Sequence, residues 1–299
     1  MKKFGSELLL LLTAAIWGFA FVAQRQGMQY MDPLLFNGIR FALGALVVGL
    51  ITVKTPYNKK SYDTAMPFPW LLGSVLFVAA SLQQIGIMYT SAGNAGFITG
   101  LYVVFVPLLG IFRKHKISRM LLIAILLSVT GLYMINSGQG YSASMGNLIV
   151  LLSAVFWAWH IHLIDVWTKS YDTLKLAFCQ YAFCALASLC CGLFYNLFRQ
   201  PDFLLQPQFY TGMGDALLPL LYSGVLSVGI GYTLPVQAQK KVPPAPATII
   251  MCLEGVFALL GGWLLLSEKL SFPILLGAML ILSAMLLSVF GGRAVNHNS

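Results

Sequence analysis

One carboxylate interrupts a long apolar stretch in the C-terminal third of the chain. Glu254 is the only acidic residue between 245 and 266. A charge in such a stretch is costly unless protein or water surrounds it. Its helical face carries Ala247, Ala258 and Gly261, which are small enough to pack closely or to line a cavity. Glu254 therefore predicts proton coupling or contact with an amine, and the alternative is a structural hydrogen bond between helices.

Two tryptophans that lie 140 residues apart each have polar neighbours at helical spacing. Indole rings stack on planar or cationic molecules, so these faces predict the walls of a small-molecule pocket. Packing between helices is the alternative. The two faces are Thr13, Trp17, Ala20 and Gln24 in the first segment, and Ser153, Trp157, His160 and Ile164 in the second.

Further polar and aromatic residues lie in apolar stretches. An amide buried in lipid lacks partners, so at least one of Gln83 and Gln84 is expected to face a cavity or another helix. Arg40 could contact an anionic substrate group, or it could hold two helices together. The predicted substrate-binding residues are Trp17, Gln24, Gln83, Gln84, Tyr102, Trp157, His160, Tyr232 and Glu254. Helix packing is the alternative for Tyr102 and Tyr232.

Motifs for metal, cofactor or catalytic chemistry are missing from the sequence. His160, His162 and Asp165 have an HxHxxD spacing, but no third convincing ligand accompanies them, and Asp165 is expected to pair with His162 or Lys169. The chain lacks HExxH, GxSxG and paired acids, and it also lacks the phosphate-binding GxxxxGK[ST] loop. We therefore expect no enzyme activity, no ATP hydrolysis, no metal and no cofactor.

The elements that must position these residues follow from composition. Of the 299 residues, 59% are hydrophobic and 9% are charged, against about 25% charged in a soluble domain. This excludes a soluble enzyme, a nucleic-acid-binding protein and a disordered chain. Since a helix crosses a bilayer with about 20 apolar residues, we predict an all-α integral membrane protein with ten spans: 8–25, 34–53, 68–89, 93–112, 118–137, 147–166, 173–197, 216–238, 245–266 and 272–291.

The distribution of positive charge predicts the orientation. With a cytoplasmic N-terminus, the outer segments hold only Arg25, Arg199 and Lys269 of the 18 Lys and Arg residues. Cytoplasmic loops retain Lys and Arg, so we expect both termini on the cytoplasmic side of the inner (plasma) membrane. The first apolar run lacks a small-residue cleavage site and is expected to be a span. The basic loop residues include Lys54, Lys59, Lys60, Arg113, Lys114, Lys116, Lys169, Lys240 and Lys241.

The chain contains an internal repeat. A shift of 140 residues aligns 16–46 with 156–186, and further on a shift of 153 matches Lys116 with Lys269; the added residues fit the longest outer loop, around 199–215. Five spans per copy is an odd number, so the second copy must enter the membrane from the opposite side. We therefore predict two inverted five-helix halves, 1–139 and 140–299. The matched pairs include Trp17 with Trp157, Asp32 with Asp172 and Leu34 with Leu174.

Several motifs are spread along nearly the whole chain. Taken together and in their order along the sequence, they are similar to those of the EamA branch of the drug/metabolite transporter superfamily. Gly255 stands where the family often has proline, and Arg113–Lys116 replace a glycine-glutamate pair, so the substrate is not carried over. The motifs are AIWGFAFV at 15–22, IRF at 39–41, MYTSAGNAGF at 88–97, VVFVPLL at 103–109, LEGVFALL at 253–260 and SEKL at 267–270.

The resemblance implies ten spans in two inverted halves and transport of amino acids, nucleobases, vitamins or other metabolites. We therefore expect a secondary active exporter of a small organic metabolite, such as an amino acid or an aromatic or amphipathic compound. It would work by alternating access with proton coupling. An intramembrane enzyme and a ligand-sensing receptor are the alternatives. The expected partners are the substrate, the bilayer and protons, not nucleic acid, and both a monomer and a homodimer are compatible with the sequence.

Overall fold

The computed structural model describes residues 3–54, 69–111, 119–137, 145–169, 171–267 and 271–296. Every regular element in these ranges is helical, as expected for apolar runs that must satisfy their backbone hydrogen bonds within one segment. The N-terminal half contains α1 (Lys3–Gly27), α2 (Pro33–Lys54), α3 (Pro69–Tyr89), α4 (Ala92–Gly100), α5 (Tyr102–Ile111) and α6 (Arg119–Ser137).

The described residues of the C-terminal half form more helices, with more interruptions. One segment, Tyr222–Gly231, is a π-helix, and it joins α10 to α11 within a single apolar stretch. The helices are α7 (Met145–Trp167), α8 (Thr173–Arg199), α9 (Pro207–Asp215), α10 (Leu217–Leu221), α11 (Thr233–Ala238), α12 (Pro244–Met251), α13 (Leu253–Leu266) and α14 (Phe272–Asn296).

The prediction of a multi-pass membrane protein is confirmed. Eight helical segments of the described chain are long and apolar enough to cross a bilayer. They agree with predicted spans 1–4 and 6–9. Two shorter apolar stretches, Arg119–Met134 and Phe272–Leu287, coincide with predicted spans 5 and 10.

Two predicted spans are each formed by two helices with a one-residue interruption. Leu101 separates α4 from α5, and Cys252 separates α12 from α13. The backbone tightens at both points, since Leu101 N bonds Ile98 O at 3.1 Å and Gly255 N bonds Cys252 O at 3.1 Å. These i→i−3 bonds are typical of 3₁₀ turns within a helical path.

Two aspartates begin α2 and α8 in the same manner. Asp32 Oδ1 accepts hydrogen bonds from the backbone N–H groups of Leu34 (2.9 Å) and Leu35 (3.1 Å). Asp172 Oδ1 accepts from Leu174 and Lys175, both at 3.0 Å. Each carboxylate satisfies N–H groups that the first helical turn leaves without partners.

The helices pack against one another as a bundle around a shared hydrophobic core. The most extensive pairings are α2 with α8, α6 with α14, α3 with α7 and α1 with α13. Arg25, predicted in an outer segment, lies in the last turn of α1, where Nη1 donates to the carbonyls of Ile87 and Thr90 at the end of α3. The segment after α8, predicted to be an outer loop, contains a helix, α9, and Pro207 at its start has a backbone angle suited to the first helical position.

Some predicted features lie outside the described residues. These are the boundary between the halves at 139 and 140 and the basic residues Lys59, Lys60, Arg113, Lys114, Lys116 and Lys269.

The contact between α1 and α13 depends on Gly18. A Cβ atom at this position would meet Phe257 Cβ and would lie 2.6 Å from Glu254 O and 2.7 Å from Ala258 N. We predict that Gly18→Ala lowers the Tm of the purified protein by about 2–5 °C, because overpacking costs roughly 1–3 kcal/mol. Gly214→Ala is the control, since no heavy atom lies within 4 Å of the added Cβ. Equal Tm values for both variants would contradict this packing.

Candidate functional site

A cavity lies inside the bundle, between helices of both halves. Its walls come from α1, α3, α7, the π-helical segment with α11, and both helix interruptions. The cavity brings together eight of the nine residues predicted to bind substrate: Trp17, Gln24, Gln83, Tyr102, Trp157, His160, Tyr232 and Glu254. Residues far apart in sequence therefore meet at one site.

Three aromatic rings form the centre of the cavity wall. Tyr232 lies against Trp17 with ring centroids 4.6 Å apart and against Trp157 with centroids 5.6 Å apart. The Trp157 and Tyr232 rings are nearly parallel, with an interplanar angle of 29°. Phe41 and Tyr181 support Tyr232 from behind, at 5.8 and 6.2 Å. These separations lie in the range that favours stacking of aromatic rings.

Both helix interruptions lie at the cavity. Thr99 and Tyr102 flank the first interruption and line the cavity, as do Met251 and Glu254 at the second. Cys252 Sγ donates to Gly100 O at 3.0 Å, so a side chain of one interruption bonds the backbone of the other. Irregular backbone at membrane depth is tolerated where it is buried in protein or lines a cavity. The two interruptions thus expose polar groups to the same space.

Glu254 is the only acidic residue of the cavity wall. Its side chain is buried, and the Tyr102 hydroxyl lies next to its carboxyl group. Neither the Tyr102 hydroxyl nor Glu254 Oε1 makes a hydrogen bond of standard geometry within the described chain. A buried carboxyl oxygen without a partner is costly. The group is therefore available to a proton, a water molecule or a ligand.

Other polar atoms of the cavity also have no hydrogen-bond partner among the described residues. They are Gln24 Oε1, Trp157 Nε1 and both amide atoms of Gln239. All three side chains are at least nine-tenths buried. Since buried polar groups are normally paired, the site offers both donors and acceptors to a polar molecule within an aromatic enclosure.

Two further polar residues of the cavity are held by neighbours. Gln83 Nε2 donates to Thr99 Oγ1 at 3.0 Å, which links α3 to α4 beside the first interruption. His160 Nε2 lies 2.6 Å from Gln180 Oε1 on α8. These contacts fix the two side chains in the wall.

Gln84 and Arg40 lie outside the cavity wall. Gln84 is completely buried and is turned away from Gln83, because consecutive residues on a helix point about 100° apart. Arg40 is also buried, and its Nε and Nη2 donate to Asn37 Oδ1 at 3.0 and 2.8 Å. Asn37 Nδ2 in turn donates to Ser188 Oγ at 2.9 Å. Arg40 thus belongs to a network that joins α2 to α8.

The residues with an HxHxxD spacing have separate partners. His162 Nε2 lies 2.7 Å from Val106 O. The predicted pair of Asp165 with Lys169 is confirmed, at 3.0 Å. Among the described residues, no group of three or more His, Cys, Asp and Glu is arranged to hold a metal ion.

The sequence analysis missed three polar residues of the cavity: Thr99, Ser227 and Gln239. Gln239 lies one residue beyond the predicted end of span 8 and beside Lys240. The useful signal was its position four residues after Pro235, which puts it on the same helical face as a cavity residue.

Comparison with known proteins gives the family. The profile of the EamA-like transporter family matches residues 5–137 and, a second time, 144–290. The chain belongs to the EamA-like transporter family. The EamA-like transporter resemblance predicted from the motifs is therefore confirmed, and the chain is a membrane transporter, which agrees with the lack of catalytic motifs in its sequence.

Several relatives of this EamA-like protein match nearly its whole length. An "Uncharacterized transporter" of Archaeoglobus fulgidus is 28% identical over 293 residues, covering 96% of this chain and 86% of its own. A "Probable amino-acid metabolite efflux pump" of Salmonella typhimurium is 25% identical over 296 residues, covering 95% of both chains. A crystal structure has the same fold, with a TM-score of 0.76 at 15% identity, covering 97% of this chain and 98% of that chain.

Proposed function

We propose that this EamA-like protein is a secondary active exporter of a small organic metabolite, such as an amino acid or an aromatic or amphipathic compound. The central cavity binds the substrate and opens alternately to the two sides of the membrane. A proton gradient drives export through Glu254. The observation that supports this most is the meeting of two interrupted helices at a cavity with unpartnered polar atoms, because discontinuous helices in corresponding positions of two halves are typical of substrate sites in secondary transporters.

The proposal includes ten spans in two inverted halves. The two matches of the family profile, 5–137 and 144–290, support halves that divide at 139 and 140. Asp32 and Asp172, which the 140-residue shift aligns, form the same cap with the same pattern of donors.

Helix pairing also supports the inverted halves. In the two halves, α3 corresponds to the π-helical segment, and α7 corresponds to α1. The contact between α3 and α7 therefore corresponds to the contact between the π-helical segment and α1. The pairing of α1 with α13 likewise corresponds to that of α7 with α5, and each of these pairs is in contact. The pairs α2 with α8 and α6 with α14 map onto themselves. Such pseudo-symmetry gives one chain two related shapes around a central site.

The proposed orientation places both termini in the cytoplasm and the protein in the inner membrane. Lys169, Lys175, Lys240 and Lys241 lie at the ends of helices that would then face the cytoplasm, which agrees with the preference of cytoplasmic loops for Lys and Arg. The Salmonella typhimurium and Escherichia coli relatives are each named "Probable amino-acid metabolite efflux pump", and these names support export.

The test uses purified protein in liposomes that contain a pH-sensitive dye. Amino acids, nucleobases, vitamins and organic amines are added in pools under an imposed pH gradient. We predict that at least one pool produces a proton flux that requires both the protein and the substrate. Absence of proton flux and of tracer exchange with every pool would contradict the proposed function.

A further inference from the structure

The Tyr232 ring packs against two tryptophans that the internal repeat relates to each other. It lies 4.6 Å from Trp17 and 5.6 Å from Trp157, measured between ring centroids. A planar ring at this place would contact both indoles at stacking distance. Tyr232 thus occupies the position that is best suited to a ring from outside the protein.

Tyr232 directly follows the π-helical segment Tyr222–Gly231. Its backbone N–H donates to Ser227 O at 3.0 Å, an i→i−5 bond that closes the last π turn. π-Helices are rare and are found mostly at functional sites. Conversion of one π turn to an α turn would change the helical register of every residue that follows it, and Tyr232 is the first of these.

The indole of Trp17 packs on the same π turn. Trp17 Nε1 donates to Ser227 O at 3.4 Å, the carbonyl that also accepts from Tyr232 N. A Cβ atom at Gly231 would lie 2.8 Å from Trp17 Nε1, so only glycine lets the indole approach this closely. The π turn, Trp17 and the Tyr232 ring therefore form one connected unit beside the cavity.

The N-terminal half has no equivalent of this unit. The shift of 153 residues aligns Tyr232 with Ala79, which is buried in α3, and α3 is an α-helix over its whole described length. A small residue is therefore compatible with the packing at the related position. The aromatic side chain and the π turn are specific additions of the C-terminal half.

We propose that the substrate carries a planar aromatic ring, and that Tyr232 is a gate that takes the place of this ring until the substrate binds. When the substrate binds, a change of register in the π-helical segment moves the Tyr232 side chain aside. The ring of the substrate then stacks between Trp17 and Trp157. This inference rests on the proposed function, because it assigns the substrate class of the same cavity.

The test compares matched ligands with and without an aromatic ring. The probes are 2-phenylethylamine against 2-cyclohexylethylamine, and phenylalanine against cyclohexylalanine, added to the full chain in lipid nanodiscs. Binding is followed by tryptophan fluorescence and by the shift in Tm. We predict that the wild-type protein binds the aromatic member of at least one pair about tenfold more tightly. Equal affinities within both pairs would overturn the aromatic substrate class.

The gate is tested by Tyr232→Ala with Tyr232→Phe as the control. Removal of the ring should tighten binding of the preferred aromatic probe by about tenfold, because the site no longer has to be vacated, whereas Tyr232→Phe should bind like the wild type. Unchanged or weaker binding by Tyr232→Ala would overturn the gate, since Tyr232 would then be a fixed wall. If Tyr232→Ala does not fold, Tyr232→Leu, which fills more of the volume without an aromatic face, takes its place with the same expected result.

Tracer exchange of the same probes in liposomes separates the two proposals. If the wild type exchanges the probe but Tyr232→Ala binds it as tightly as the wild type does, the gate proposal is overturned and the proposed transport function stands. Binding of a probe without any exchange would contradict transport and leave the binding site.

Discussion

Glu254→Gln is expected to abolish proton-driven substrate flux in liposomes, with a loss of about 100-fold or more. Glutamine has nearly the same shape but cannot bind and release a proton, and Glu254 is the only acidic residue of the cavity wall. Glu254 is the group proposed to carry the proton. In enzymes, a side chain that transfers a proton typically contributes about 10²–10⁴-fold to the rate. Flux is measured as dye-reported proton movement together with tracer movement of the substrate.

Two variants serve as controls for this prediction. Asp215→Asn removes an exposed acid of α9, far from the cavity wall, and should leave the flux unchanged. Glu254→Asp keeps an ionisable group and should retain measurable proton-driven flux. The protein with glutamine should remain folded and inserted, with a Tm close to that of the wild type. Normal proton-driven flux in Glu254→Gln would remove Glu254 from the coupling role.

Trp17→Ala and Trp157→Ala are each expected to weaken substrate binding by about tenfold or more. Each change removes one aromatic wall of the cavity, and a stacked aromatic contact together with the lost buried area is worth more than about 1 kcal/mol. The matched control is Trp159→Ala, since Trp159 is on the same helix as Trp157 but is 43% exposed at the bundle surface. Affinity is measured by titration of the transported substrate against purified protein.

If Trp17→Ala and Trp157→Ala both bind the substrate with the affinity of the wild type, the proposal that these indoles form the walls of the substrate pocket is contradicted. A loss in Trp157→Ala that is matched by Trp159→Ala would point to a general effect on α7 instead of a specific wall. The Tm of each variant separates lost binding from lost folding.

The helices and most of the cavity could be predicted because both depend on local sequence. Apolar runs gave the spans, since a bilayer demands about 20 apolar residues per helix. Helical periodicity placed Trp17 with Gln24 and Trp157 with His160 on single faces, and these four residues line the cavity. An acid such as Glu254 is easily noticed in an apolar run. Burial of its charge costs free energy, so such a residue usually has a functional role or makes specific contacts.

The remaining features depend on tertiary contacts that the sequence does not show. Gln83 and Gln84 are equally polar, and only packing decides which of them reaches the cavity. The interruptions at Leu101 and Cys252 fall on residues that are neither proline nor glycine, and the π-helical segment before Tyr232 is contacted by Trp17, which is distant in sequence. The sequence leaves Arg40 with two alternatives, an anion contact or a link between helices, and its bonds to Asn37 depend on tertiary packing.

The most direct test of alternating access at this cavity is the accessibility of one cysteine from the two sides of the membrane. The native cysteines are Cys179, Cys184, Cys190, Cys191 and Cys252, and they are replaced before Ser227→Cys is introduced into the cavity wall. A membrane-impermeant maleimide is then applied to either face of oriented vesicles. We predict labelling from both faces, with protection by the transported substrate on each. Labelling from one face alone, or labelling that the substrate does not slow, would contradict a central site that opens to both sides.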